Sequence, residues 1–148
     1  MQCKMIRRWW LAALALVIAC ESTVAATEQQ ALWNALEIRN YTYVYSQSCF
    51  CGFIGPNPAR ITVTNGVVTK VTSSDSAQTV FSGNISAYPT IDSLFAIAAR
   101  ARSQNPATFD ITYDETYHFP RVIYVDPIQK ATDDEVTYRV ESFTPETH

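Results

Sequence analysis

The stretch "ARITVTNGVVTKVT", Ala59 to Thr72, limits what this chain can become more than any other part of it. Two runs rich in β-branched residues flank Asn65-Gly66, and an Asn-Gly pair in that setting is the strongest short-range signal for a β-hairpin. An antiparallel sheet is therefore expected. The remaining segments must supply its other strands and whatever covers them.

Upstream, "YTYVYSQ" alternates Tyr41, Tyr43 and Tyr45 with Thr42, Val44 and Ser46, which is the period of a strand. Downstream, three more strands are expected. "TFDITYD" puts Phe109, Ile111 and Tyr113 on one face, "PRVIYVD" starts at Pro120, and "EVTYRVESF" alternates Val136, Tyr138 and Val140. Two segments have helical spacing instead. In "TEQQALWNALEIRN", Thr27 stands three residues before Gln30 as a capping box, and Leu32, Ala35 and Leu36 follow, predicting a helix over 28–39. In "TIDSLFAIAARARSQNP", Thr90 is the cap, Ile91, Leu94, Phe95, Ala98 and Ala101 share a face, and Asn105-Pro106 is the stop. Arg100 and Arg102 fall in its last turns, where positive charge complements the helix dipole. The polar segment "SSDSAQTVFSGNISAYP", punctuated by Gly83 and Pro89, connects the two parts.

The expected fold class is α+β, with two amphipathic helices packed on one face of a meandering antiparallel sheet, so that both apolar sets are buried. The order helix, strand, hairpin occurs twice. "PARITV" and "PRVIYV" open the second strand of each part, which points to two helix-plus-strands half-repeats.

The first residues carry a different message. Lys4, Arg7 and Arg8 precede an apolar run from Trp9 to Ala19, the pattern of an export signal. The run is too short for a permanent span, which needs roughly 20 apolar residues. "VIAC", Val17 to Cys20, resembles the lipobox of bacterial lipoproteins, and that resemblance implies cleavage before Cys20 and a lipid anchor on it. The alternative is ordinary cleavage after Ala26, following "VAA". On the first reading, 1–19 is signal, 20–27 a short tether reaching at most about 28 Å, and 28–148 a single domain. The expected location is the bacterial cell envelope, lipid-anchored, or soluble and exported on the alternative cleavage.

Removing 1–19 takes away three basic residues and no acidic one, so 11 basic against 14 acidic become 8 against 14, a formal charge near −6. Without clustered Lys and Arg, nucleic acid is not an expected partner. The sequons at Asn40 and Asn84 are formal matches that a bacterial lipoprotein would leave unused. The expected partners are the membrane, through the anchor, and another envelope protein.

Taken in order, "YTYVYSQSCFC", "RITVTNGVV", "TYDETYHFPRVIYVD" and "TDDEVTYRVESF" resemble a bacterial family of secreted proteins and lipoproteins classed as a domain of unknown function. The resemblance covers 36–143 and implies no activity, ligand or catalytic residue. It does imply a glycine where His118 stands. A glycine there would serve a turn at positive φ, so either the turn is rebuilt or His118 has another task.

Few residues invite chemistry. His118 and His148 are the only histidines, and neither a Gly-rich phosphate loop nor a paired-histidine motif is present, so an enzyme is not expected and no cofactor is called for. Asp114, Glu115, Asp126, Asp133, Asp134 and Glu135 gather around the last two turns and supply hard oxygen atoms, with Asp126, Asp133 and Asp134 the candidates for calcium. They lack EF-hand spacing, and solvated strand ends are the simpler reading. Tyr41, Tyr43 and Tyr45 could form an exposed binding row, or cover the sheet beneath a helix; the second is favoured.

"QSCFCGF", Gln47 to Phe53, holds Cys49 and Cys51, which export would leave in an oxidising compartment. In a flat strand residues two apart are about 6.6 Å apart, too far for a disulfide, so a bridge requires the chain to curl beyond the tyrosine strand. A local disulfide is favoured, small and readily reduced. A soft-metal site would need another ligand, such as His118 or a carboxylate. The functional expectation is a tethered binding module. The alternatives are a soft-metal or thiol-redox protein using Cys49 and Cys51, and an envelope inhibitor presenting the loop Gly52 to Ala59.

Overall fold

The computed structural model describes residues 26–52, 55–75, 80–128, 131 and 133–146. The expected signal, Cys20 and His148 lie outside them. No helix of the described residues is long and apolar enough to cross a membrane.

Helix α1 is already formed at Ala26 and runs through residue 35. Thr27 is therefore inside the helix and not its cap, and the last two residues of the expected tether are helical. The helix also ends earlier than its apolar spacing predicts, because Glu37 takes φ 52° and the chain turns there. The buried face differs too. Leu32 and Leu36 are exposed, whereas Trp33 is 3% exposed and is the anchor of α1.

The strands follow as β1 (Tyr41–Ser48), β2 (Ala59–Thr64) and β3 (Val67–Ser73), then helix α2 (Ile91–Ser103), then β4 (Thr108–Tyr113), β5 (Pro120–Asp126) and β6 (Val136–Pro145). All pair antiparallel in one six-stranded sheet of order β3-β2-β1-β6-β5-β4. This is not one meander. Each trio of strands meanders by itself, and the two trios join where the first strand meets the last. "PARITV" and "PRVIYV" each lead into the central strand of a trio.

Turn chemistry accounts for the local shapes. Asn65 at φ 52° and Gly66 at φ 77° make the two-residue turn between β2 and β3, with both residues in the left-handed region as a type I′ turn requires. Thr90 caps α2 by accepting a bond from the Ser93 amide at 3.1 Å. In β6, Ser142 at φ 51° is an extra residue: Thr42 faces Thr144 while Val44 faces Glu141. That bulge turns Phe143 to the same face as Val140 despite their odd spacing.

The core lies between the helices and one sheet face. Trp33 meets Tyr41, Phe119 and Phe143 edge-on, with ring centroids 5.8, 6.2 and 5.9 Å away, and its indole N–H donates to Asp92 at 3.0 Å. Tyr41, Tyr43 and Tyr45 are 1%, 0% and 2% exposed. The Tyr41 hydroxyl accepts from the Ile91 amide at 3.0 Å, and Tyr43 donates to the Pro89 carbonyl. A bare amide at the start of α2 is thus satisfied by a strand side chain.

Burial raises the phenols of Tyr41, Tyr43 and Tyr45 above their ordinary value near 10. The folded protein holds these protons more tightly than the unfolded chain, so their contribution is full below pH 10 and is lost above it. Stability should therefore fall above about pH 10, by up to about 1.4 kcal/mol per pH unit for each tyrosine. Denaturant titrations at stepped alkaline pH should show this slope reduced by about one proton in Tyr43→Phe.

Candidate functional site

β1 ends at Ser48, and the curl that a disulfide needs begins there. Cys49 and Cys51 come together as a disulfide with Cα atoms 5.1 Å apart. Phe50, between them, is 87% exposed. The apolar ring stands in solvent, while Cys49 is half-buried and Cys51 exposed.

Gln47 ties this tip to the body of the protein. Its side-chain amide donates to both sulfurs at 3.4 Å, and its carbonyl oxygen Oε1 accepts from the buried Tyr45 hydroxyl at 2.8 Å. Asn57, on the returning side of the loop, grips the same residue: Nδ2 donates to the Gln47 carbonyl at 2.6 Å and Oδ1 accepts from the Gln47 amide at 3.0 Å. An asparagine side chain thus imitates a neighbouring strand. Tyr88 donates to the Pro56 carbonyl at 2.9 Å, and a Cβ added to Gly55, which has φ 132°, would collide with that hydroxyl. The loop is therefore held at three points beyond the disulfide. Phe53 and Ile54, within the Gly52–Ala59 segment, lie outside the described residues.

The other candidates separate. Tyr41, Tyr43 and Tyr45 offer no exposed row, because they are the core floor described above. His118 takes φ 64°, so the turn is not rebuilt to suit histidine; instead its Nδ1 pairs with Gln29 Oε1 on α1 at 3.1 Å. Asp114 closes the same turn, accepting from the Thr116 and Tyr117 amides at 3.0 and 2.8 Å. Its carboxylate is a turn device. Among the described residues no three His, Cys, Asp or Glu side chains assemble as a metal site, so Asp126, Asp133 and Asp134 do not converge on one cation position there.

Two concavities were not legible in the sequence. A polar cleft of about 610 Å³ lies between the end of α1 and the hairpin tip, lined by Trp33, Glu37, Arg39, Asn65 and Asp92 among others. An apolar groove of about 340 Å³ lies between α2 and β4 and is lined also by Ala26, Thr27 and Gln30 of α1. Both depend on elements distant in sequence. Gln47 and Asn57 could have been noticed only as polar residues flanking the cysteines, with nothing to pair them.

The fold and loop define an α+β protein with a disulfide-closed aromatic tip on a six-stranded antiparallel sheet. Residues 25–145 match a family of unknown function, DUF6174, and the chain belongs to that family. No curated protein and no solved structure matches it at a significant level.

Two outcomes are expected. In protein purified without reductant, both cysteines should resist alkylation and the intact mass should be lower by two hydrogens; two free thiols would contradict the bridge. For His118, glycine relieves a left-handed residue at a gain of roughly 1 kcal/mol, while the bond to Gln29 is worth about 1 kcal/mol. His118→Gly should therefore stabilise a Gln29→Ala background by about 1 kcal/mol and the parent by clearly less. Equal effects in the two backgrounds would deny the coupling.

Proposed function

We propose that this protein is exported, tethered to the bacterial envelope through Cys20, and works as a binding module whose contact surface is the Cys49-Phe50-Cys51 tip. One observation carries the reading: a phenylalanine ring 87% exposed between two disulfide-bonded cysteines, on a segment held by Gln47, Asn57 and Tyr88. An exposed aromatic on a loose loop loses much of its binding energy to ordering, whereas one on a held loop does not. Large aromatic anchors are also the side chains most often found to dominate interfaces. The export pattern and the short tether would keep that tip near a membrane and its resident proteins. The order of a helix followed by three meandering strands occurs twice, in keeping with an origin by duplication.

The exposure of Cys51 supports a secondary reading in which an external thiolate attacks its sulfur, forming a mixed disulfide there and releasing Cys49 as the thiolate, so that the Cys49-Phe50-Cys51 ring opens. Binding and loop opening are compatible, since a tip held by a reducible bond could be released from its partner.

A photo-crosslinking phenylalanine analogue at position 50, in intact cells, should give a discrete protein adduct. The same analogue at Val67, another exposed apolar position, should not. Phe50→Ser should weaken capture of the adduct partner by roughly 30-fold, the effect of an anchor worth about 2 kcal/mol. Equal yields at positions 50 and 67 would remove the basis for the reading.

A further inference from the structure

The sheet has two edges of unlike character. Along β3 the chain returns: Val80 forms a bridge with Thr72, and the Phe81 amide bonds the Val71 carbonyl at 2.8 Å. Along β4 no described segment does so, and its ladder is with β5 alone. β4 contains neither proline nor lysine, two common means of blunting an edge. Among the described residues, the outward-facing N–H and C=O groups of alternate β4 residues are left able to pair with another strand.

Its two faces define what would fit. Toward the helices, Phe109, Ile111 and Tyr113 are half-buried and line the apolar groove, whose other wall includes Phe95, Ala99 and Arg102. Tyr113 stacks on Phe95 at 6.3 Å, and its hydroxyl is buried without a hydrogen-bond partner. The Arg102 guanidinium lies 4.6 Å from the Phe109 ring centroid, so this side is apolar with a positive group. The opposite face carries two carboxylates at the β4 edge, with Arg139 two strands inward opposite Val122. Asp110 stands opposite Tyr124, and Asp126 opposite Thr108. Thr108, Asp110 and Thr112 alternate with the groove-side residues along β4, so Asp110 and Asp126 share this outer face by register.

We propose that the β4 edge is a strand-addition site for an extended partner segment in which apolar residues alternate with lysine or arginine. The apolar side chains enter the groove against Phe109 and Ile111, and the cations lie over Asp110 and Asp126. Strand addition suits this geometry because backbone bonds supply affinity while alternate side chains, on opposite faces, supply selection. The apolar groove on one side and the carboxylates on the other fix which face of the guest carries charge. A second copy is a poorer guest, since β4 against β4 would set Asp110 of both copies close together. The site is three strands from β1 and its Phe50 tip, and stands independently of that reading.

The test uses the full chain and a blocked peptide of sequence KVKIKV. Saturable binding is expected, with amide exchange across β4 slowed about tenfold or more at saturation. Replacing each lysine of the peptide by glutamate should weaken binding at least about tenfold, and methylating alternate peptide nitrogens should abolish it. Ala99→Trp, which fills the groove from an exposed helix position, and Asp110→Lys should each weaken it in variants whose far-ultraviolet spectra match the parent. The proposal is overturned if nothing binds up to about 1 mM, if the methylated peptide binds as well, or if binding leaves β4 exchange unchanged. It is equally overturned if the free protein dimerises with β4 amides already protected, which would give the edge to a second copy.

Discussion

Tyr43 has no exposed surface, and its hydroxyl reaches the carbonyl of Pro89, just before α2. With Tyr41 bonding the first amide of α2 and Tyr45 bonding Gln47, one strand fixes the start of a helix at one end and a surface loop at the other. Burying a phenol hydroxyl without a partner costs about 1–3 kcal/mol, so these contacts offset the cost of keeping the three rings in the core. β1 is also where the two trios of strands meet, through its pairing with β6. Core, sheet continuity and loop position therefore depend on the same eight residues.

This arrangement explains why α1 can be short and only partly apolar. A helix that buries little more than Trp33 would be marginal alone. Trp33 packs edge-on against three rings from β1, the segment before β5, and β6, and its N–H reaches Asp92 in the first turn of α2. One side chain thus links both helices to both trios. The His118–Gln29 pair adds a second link between α1 and the turn before β5.

Two surfaces of opposite kind result. The Phe50 tip is a small aromatic projection on a loop held by side-chain bonds, suited to inserting into a partner's pocket. The β4 edge is a receptive surface, with open backbone, an apolar side and an acidic side. Nothing in the fold forces them to serve one partner. Membership of DUF6174 brings a domain and no activity, so both surfaces stand as proposals about recognition.

The sequence by itself determined the elements whose signals are local. Asn65-Gly66 specified its hairpin because only residues tolerant of positive φ fit that turn, and Thr90 with the Ile91-to-Ala98 spacing specified α2. The strand periods of β1, β4, β5 and β6 were legible for the same reason: alternation is a property of neighbouring residues. α1 was misjudged where leucine spacing was trusted over Trp33, since burial of a helix face depends on what lies across from it. The bulge at Ser142, the meeting of β1 with β6, the Gln47–Asn57 clamp and the groove beside β4 came only from the tertiary structure. Each joins residues far apart in the chain, and no local pattern specifies which distant backbone or side chain will satisfy a given donor, ring or edge.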